Sequence, residues 1–298
     1  MVNMTGLEAP LFGRLITAMV TPFDADANLD LPTARRLAAY LVDEQSNDSL
    51  VINGTTGEAT TTSDDEKSAI LEAAKDEIGD RAKIIAGVGT ADTAHSIKLA
   101  KDAAKAGADG LLIVTPYYSL PPQDAIEAHM RAVADATDLP CVLYDIPHRT
   151  GRPIETETLL RLADHPNIVG VKDAKNDAAA TARVIAETGL AYYSGNDAWA
   201  LPWLSIGAVG VVGTSTHFTG AATAKMIEAF LAGHWEDALA WQQKLLPVYT
   251  GVFANQGCVM VKSGLAHIGL PVGGVRLPLL PPTPAQAATF NGLLDALD

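Results

Sequence analysis

Short apolar runs rich in β-branched residues recur along the chain roughly every 25 to 30 residues, each followed by a loop and an amphipathic stretch. Runs of that length between turn residues predict buried strands at Leu15–Val20, Ser49–Ile52, Lys83–Ala86, Gly110–Val114, Cys141–Tyr144, Ile168–Val171, Ala191–Tyr193 and Val209–Val212. The intervening segments predict helices near 33–45, 64–78, 93–106, 123–136, 155–164, 177–187, 197–206 and 219–232. Ser63 and Glu66 stand in capping-box spacing at the start of the second. Eight alternating units require a parallel sheet, and that number favours closure into a (β/α)8 TIM barrel over residues 1–234. An open doubly wound sheet would carry a glycine fingerprint after its first strand, where this chain has Thr21-Pro22-Phe23-Asp24. Beyond residue 234 the alternation stops. Helical patterns near 235–250 and 255–268, a proline-rich stretch from Pro278 to Pro284 and a last helix predict a C-terminal helical appendage over 235–298, packed on the barrel or on a neighbouring subunit.

Composition narrows the function classes. Among 298 residues, 48% are hydrophobic and 19% charged, which suits a large core and argues against disorder. The net charge of −14 repels a phosphate backbone, so no nucleic-acid partner is expected. An anionic substrate would need a local positive field. Cys141 and Cys258 both lie in apolar stretches, as buried thiols in a reducing compartment do. The first ten residues lack a basic and apolar leader pattern, and a cytoplasmic location is expected. Ala198 to Thr216 carries no charge, but its glycines and Pro202 fit a helix–loop–strand unit better than a membrane span.

In a barrel of this kind the active site lies at the C-terminal ends of the strands, so the residues leaving them carry the chemistry. Lys172 closes the run Ile168-Val169-Gly170-Val171. A lysine at a buried strand end either pairs with a carboxylate or loses its proton and becomes a nucleophile for a carbonyl. Asn53-Gly54-Thr55-Thr56-Gly57-Glu58 follows the second strand and can turn backbone N–H groups and two hydroxyls toward a carboxylate. Tyr117 and Tyr118 follow the fourth strand. Tyr144 ends the fifth, with Arg149 five residues on, suited to proton transfer and to a bidentate carboxylate grip. One amine, phenols, paired hydroxyls and an arginine suit imine chemistry on a keto acid. The seven histidines show no ligand spacing and there is no cysteine cluster, so no metal is expected. Ser194-Gly195-Asn196-Asp197 and Gly213-Thr214-Ser215 lie where many barrels hold phosphate, which leaves a phosphorylated substrate open.

Taken together, Gly54-Thr55-Thr56-Gly57-Glu58, the Tyr-x-x-Pro-x-Arg of Tyr144 to Arg149 and Lys172 resemble the dihydrodipicolinate synthase family, which belongs with the pyruvate-dependent lyases related to N-acetylneuraminate lyase. The likeness spans essentially the whole chain. It implies condensation of pyruvate with L-aspartate 4-semialdehyde in lysine and diaminopimelate synthesis, with no cofactor beyond a covalent Schiff base on Lys172. It implies Tyr144 as general acid/base, Thr55 and Tyr118 as proton relay, and the Thr55 and Thr56 amides around the pyruvate carboxylate. Arg149 would receive the aldehyde's carboxylate, with Gly195 and the Val212 carbonyl facing the site. Tyr118 would be lent across a tight dimer, and two dimers would form a homotetramer. A lowered Lys172 pKa is expected, helped by nearby Lys175.

The chain departs from the family pattern at Asn53, Asp145, His148, Asn196 and Gly213, which bears on the aldehyde acceptor. A related aldolase acting on a 2-keto-3-deoxy sugar acid or N-acetylneuraminate, and an inactive keto-acid-binding homologue, are the alternatives. Asp64 and Lys67 stand where lysine-inhibited relatives often carry histidines, so lysine feedback is expected to be weak or absent.

Overall fold

The computed structural model describes residues 9–297. Each apolar run becomes a parallel strand: β1 Leu15–Ala18, β2 Ser49–Ile52, β3 Lys83–Gly87, β4 Gly110–Val114, β5 Cys141–Asp145, β6 Ile168–Asp173, β7 Ala191–Ser194 and β8 Gly210–Gly213. They pair in sequence order, and β8 returns to β1, closing the barrel. The sequence expectation of eight strand–helix units closed on themselves is met.

The helices that return the chain are α1 Leu31–Asp43, α2 Asp64–Ile78, α3 Thr93–Lys105, α4 Gln123–Ala134, a single turn α5 Pro147–Thr150, α6 Thr156–Leu162, α7 Ala178–Glu187, α8 Ala200–Ser205 and α9 Thr216–Leu231. The capping box opens α2: the Glu66 N–H donates to Ser63 Oγ, and the Ser63 N–H donates to Glu66 Oε2 at 2.8 Å. Such a cap contributes about 1 kcal/mol.

Side-chain alternation along the strands separates two cores. Ile16, Val51, Ile85, Leu112, Val142 and Val212 fill the barrel, while Leu50, Ile84, Leu111, Leu143 and Val171 meet the surrounding helices.

Three local differences matter for the site. Strand β6 continues through Lys172 and Asp173, so the lysine lies inside a strand and not at its end. Helix α5 was not predicted; Pro147 starts it and Gly151, in the left-handed region at φ 77°, stops it. The uncharged stretch after residue 197 forms a 3-10 turn at Asp197–Trp199, then α8 and β8. No helix among the described residues is long and apolar enough to cross a membrane.

Past the barrel, α10 Trp235–Gly251, α11 Gly257–His267 and α12 Pro284–Asp295 complete the chain. Helix α10 packs along α9, and α12 packs on α11 and α10. The end of α10 and the start of α11 reach the mouth of the barrel, where they wall the cavity described next.

Candidate active site

A cavity of about 510 Å³ opens at the C-terminal ends of the strands. Thr55, Thr56, Tyr144, Arg149, Lys172 and Gly195, all singled out in the sequence, line it. Register brings the central pair together, because Tyr144 of β5 lies directly beside Lys172 of β6. The lysine Nζ sits 4.2 Å from the centre of the Tyr144 ring.

Lys172 is only 5% exposed. Burial draws its pKa down to about 8; the Asp197 carboxylate opposes that shift and the Arg149 guanidinium adds to it. The sequence expectation of a lowered value holds, but its cause needs correcting. Lys175 turns away from the pocket, with Nζ 3.4 Å from Asp145 and 3.3 Å from the Ile154 carbonyl. Arg149 is the like charge that acts on the amine.

Tyr144 is driven the other way. Burial pushes its phenol up to about 12, while Arg149 and a hydrogen bond with the Thr55 side chain pull it back. It therefore holds its proton at neutral pH and can donate it. Thr56 is nearly buried, with its hydroxyl 3.5 Å from that of Thr214. Inside the threonine turn, the N–H groups of Gly57, Glu58 and Ala59 donate to the carbonyls of Gly54, Thr55 and Gly54. Those of Thr55 and Thr56 take no part in these bonds.

Arg149 projects from α5, and its Nη2 donates to Gln256 Oε1 at 3.0 Å. It lines both the main cavity and a smaller one of about 280 Å³ beside it. His148 and Asn196 also line the main cavity. Two sequence-predicted residues lie apart from the lining. Val212 packs inside the barrel in contact with the cluster that contains Tyr144. Tyr118 is 94% exposed, on a backbone held at φ 69°, and does not line the cavity of its own chain.

Asp197 is a site residue that the sequence reading placed only in a possible phosphate-holding stretch, without a role at the lysine. Its buried carboxylate accepts from the Thr214 and Ser215 N–H groups at 3.1 and 3.2 Å and from Ser215 Oγ at 2.8 Å. Burial raises its pKa, and these bonds and Lys172 hold it back. Gly213 is required here, since a Cβ would lie 2.5 Å from Asp197 Oδ1. The amides that suggested a phosphate cradle are thus occupied by the chain's own acid. A single acid in an otherwise uncharged stretch, opposite a Gly-Thr-Ser turn, was the available signal. The second omission is the C-terminal wall: Tyr249, Phe253, Gln256 and Cys258 all border the cavity. Among the described residues no group of three or more His, Cys, Asp or Glu is placed to hold a metal ion.

The pattern of the dihydrodipicolinate synthetase family matches residues 11–297. The 4-hydroxy-tetrahydrodipicolinate synthase of Cutibacterium acnes is 58% identical over 97% of this chain and 99% of its own. Among solved structures, dihydrodipicolinate synthase from Cyanidioschyzon merolae with lysine bound aligns with a TM-score of 0.94 at 38% identity, covering 97% of this chain and 99% of that one. The chloride-inhibited dihydrodipicolinate synthase from Acinetobacter baumannii, complexed with pyruvate, aligns with a TM-score of 0.92 at 34% identity, covering 96% and 99%. Sequence and architecture agree over nearly the full length of each relative, and the chain belongs to the dihydrodipicolinate synthetase family.

Proposed function

We propose that this chain condenses pyruvate with L-aspartate 4-semialdehyde to 4-hydroxy-tetrahydrodipicolinate, through a Schiff base on Lys172. The observation that carries the reading is the buried amine, drawn down to about 8, lying against a phenol that keeps its proton. A lysine with that pKa has an appreciable neutral fraction near pH 7.5, and only the neutral amine attacks a ketone. Nζ adds to the pyruvate carbonyl carbon, Tyr144 protonates the oxygen, and water leaves to form the imine. The protonated imine draws electrons from the adjacent methyl group, and loss of a methyl proton gives the enamine. That carbon attacks the aldehyde, and ring closure by the second substrate's amine releases Lys172.

The other residues follow from charge and reach. The Thr55 and Thr56 amides would hold the pyruvate carboxylate and Arg149 that of the semialdehyde, with Gly195 in the lining and the Val212 carbonyl facing the site. The exposure of Tyr118 supports its donation to a neighbouring subunit's site, and with it a homotetramer of tight dimers. The same reading carries a cytoplasmic enzyme that needs no added cofactor, with a barrel over 1–234 and a helical region over 235–298. Weak or absent lysine feedback also belongs to it: Asp64 is bound to His95 and Lys98 at 2.9 and 2.8 Å, and Lys67 donates to the Thr62 carbonyl.

Borohydride reduction in the presence of pyruvate tests the chemistry. Intact and peptide mass spectrometry should place one reduced adduct on Lys172. An adduct on Lys175 or Lys262, or none, overturns the assignment.

A further inference from the structure

The threonine turn is an improbable piece of backbone. Asn53 and Glu58, on either side of it, both take the left-handed region, at φ 60° and 55°, which disfavours side chains other than glycine. The end of the turn that follows the two threonines is held from outside, at Gly57 by Thr21 Oγ1, which donates to its carbonyl at 2.6 Å, and at Glu58 through its side chain. Glu58 is almost wholly buried, as is Lys262 of α11, and Oε1 lies 2.6 Å from the lysine Nζ as an ion pair. Its other oxygen accepts from the Arg276 N–H at 2.9 Å.

Both cations are fixed in turn. Lys262 donates to the Gly274 carbonyl at 2.6 Å and stands 4.2 Å above the Phe23 ring. Arg276 lies 4.1 Å from the same ring and binds the Thr61 carbonyl and Glu66, the capping residue of α2. The segment from Thr55 to Glu66 is therefore pinned to α11 and to the strand-free C-terminal segment.

A buried ion pair is a weak source of stability, because desolvation offsets the attraction; what it does well is select one arrangement. From this geometry we infer that the Glu58–Lys262 pair is a positioning device, setting Thr55 and Thr56 for the carboxylate of the keto acid. The inference rests on the function proposed above and adds residues that do not touch substrate. Helix α11 begins with Gly257 and Cys258 in the cavity wall, so the pair ties the two sides of the site to one another.

The test measures the pyruvate concentration that gives half-maximal borohydride adduct on Lys172 in the full-length protein. Lys262→Met should raise that concentration roughly tenfold and Glu58→Gln, which keeps size and one acceptor, roughly threefold. Adduct yield at saturating pyruvate and the half-saturating aldehyde concentration in turnover should stay native. A native half-saturation in a folded variant overturns the inference, as does equal weakening toward both substrates, the mark of general loosening. If Lys262→Met does not fold, Glu58→Gln decides by the same criteria. No adduct in the native protein overturns the proposed function and this inference together; a native adduct with unmoved half-saturation overturns this inference alone.

Discussion

On the inner face of β5 and β6, Tyr144 and Lys172 meet across the register; one residue on, on the outer face, Asp145 and Asp173 meet in the same way. The inner pair opens on the cavity, and burial suppresses charge on both members. The outer acids are enclosed by helices and neighbouring loops. Asp173 accepts from the Lys175 and Asn176 N–H groups and from Thr181 Oγ1 at 2.6 Å. Asp145 accepts from the Ile154 N–H at 3.1 Å and lies 3.4 Å from Lys175. Strand alternation thus puts a reactive, poorly compensated charge and a tied set of charges back to back.

The largest expected effect falls on the inner face. Lys172→Met should abolish the reduced adduct and lower turnover by on the order of 10⁴-fold or more, the upper range for loss of a proton-transfer group alone. Stopped-time assays with mass spectrometry check it, and residual turnover without an adduct would break the comparison. Next comes Tyr144→Phe, which keeps the ring over the amine but removes the proton. Turnover should fall about 10²- to 10³-fold with the fold intact, and circular dichroism distinguishes that from unfolding.

A smaller effect sharpens the electrostatics. Imine formation at low pyruvate should rise with pH through about 8 and level off as Lys172 loses its proton. Asp197 favours the charged amine, so Asp197→Asn should move that rise to lower pH. Arg149 disfavours it, so Arg149→Ala should move the rise to higher pH while also weakening the semialdehyde selectively. Rates of adduct formation across pH read both shifts; movement in the same direction would refute the assignment.

The smallest effect belongs to the outer face. Burial raises Asp145 to about 6, with Lys175 opposing. A carboxyl with a folded pKa above its unfolded value binds its proton more tightly when folded. Native stability is therefore lost as pH rises from about 4 to about 6, and the penalty persists above. Asp145→Asn should remove that penalty of about 3 kcal/mol at the cost of the Lys175 contact, leaving a net stabilisation of about 1–2 kcal/mol at pH 7.5 and flattening that pH window. Denaturant unfolding at pH 4 and pH 7.5 measures this directly, and a destabilised variant would show that the Lys175 contact outweighs the desolvation.

Much of this site was legible before the fold was known, because barrels present their chemistry on the residues that leave the strands. Lys172, Tyr144, Arg149 and the two threonines could be found by that rule. Asp197 was reached by the same rule but read as part of a phosphate-holding stretch, since its role comes from Thr214 and Ser215, which reach it from the next strand. The role of Lys175 was misjudged for a similar reason: proximity in sequence suggested proximity in space, yet its side chain turns to Asp145 and the Ile154 carbonyl while Ala174 and Asn176, on either side of it, line the cavity.

Periodicity and turn chemistry by themselves determined eight strand–helix units, their order and the residues emerging at one end, because these depend on local pattern and on the few ways a repeated unit can bury its apolar face. Which charges face one another was decided only by the closed barrel. Register, helix placement and the return of the C-terminal segment set the distances on which Coulomb energy and desolvation depend, and a linear chain does not contain them.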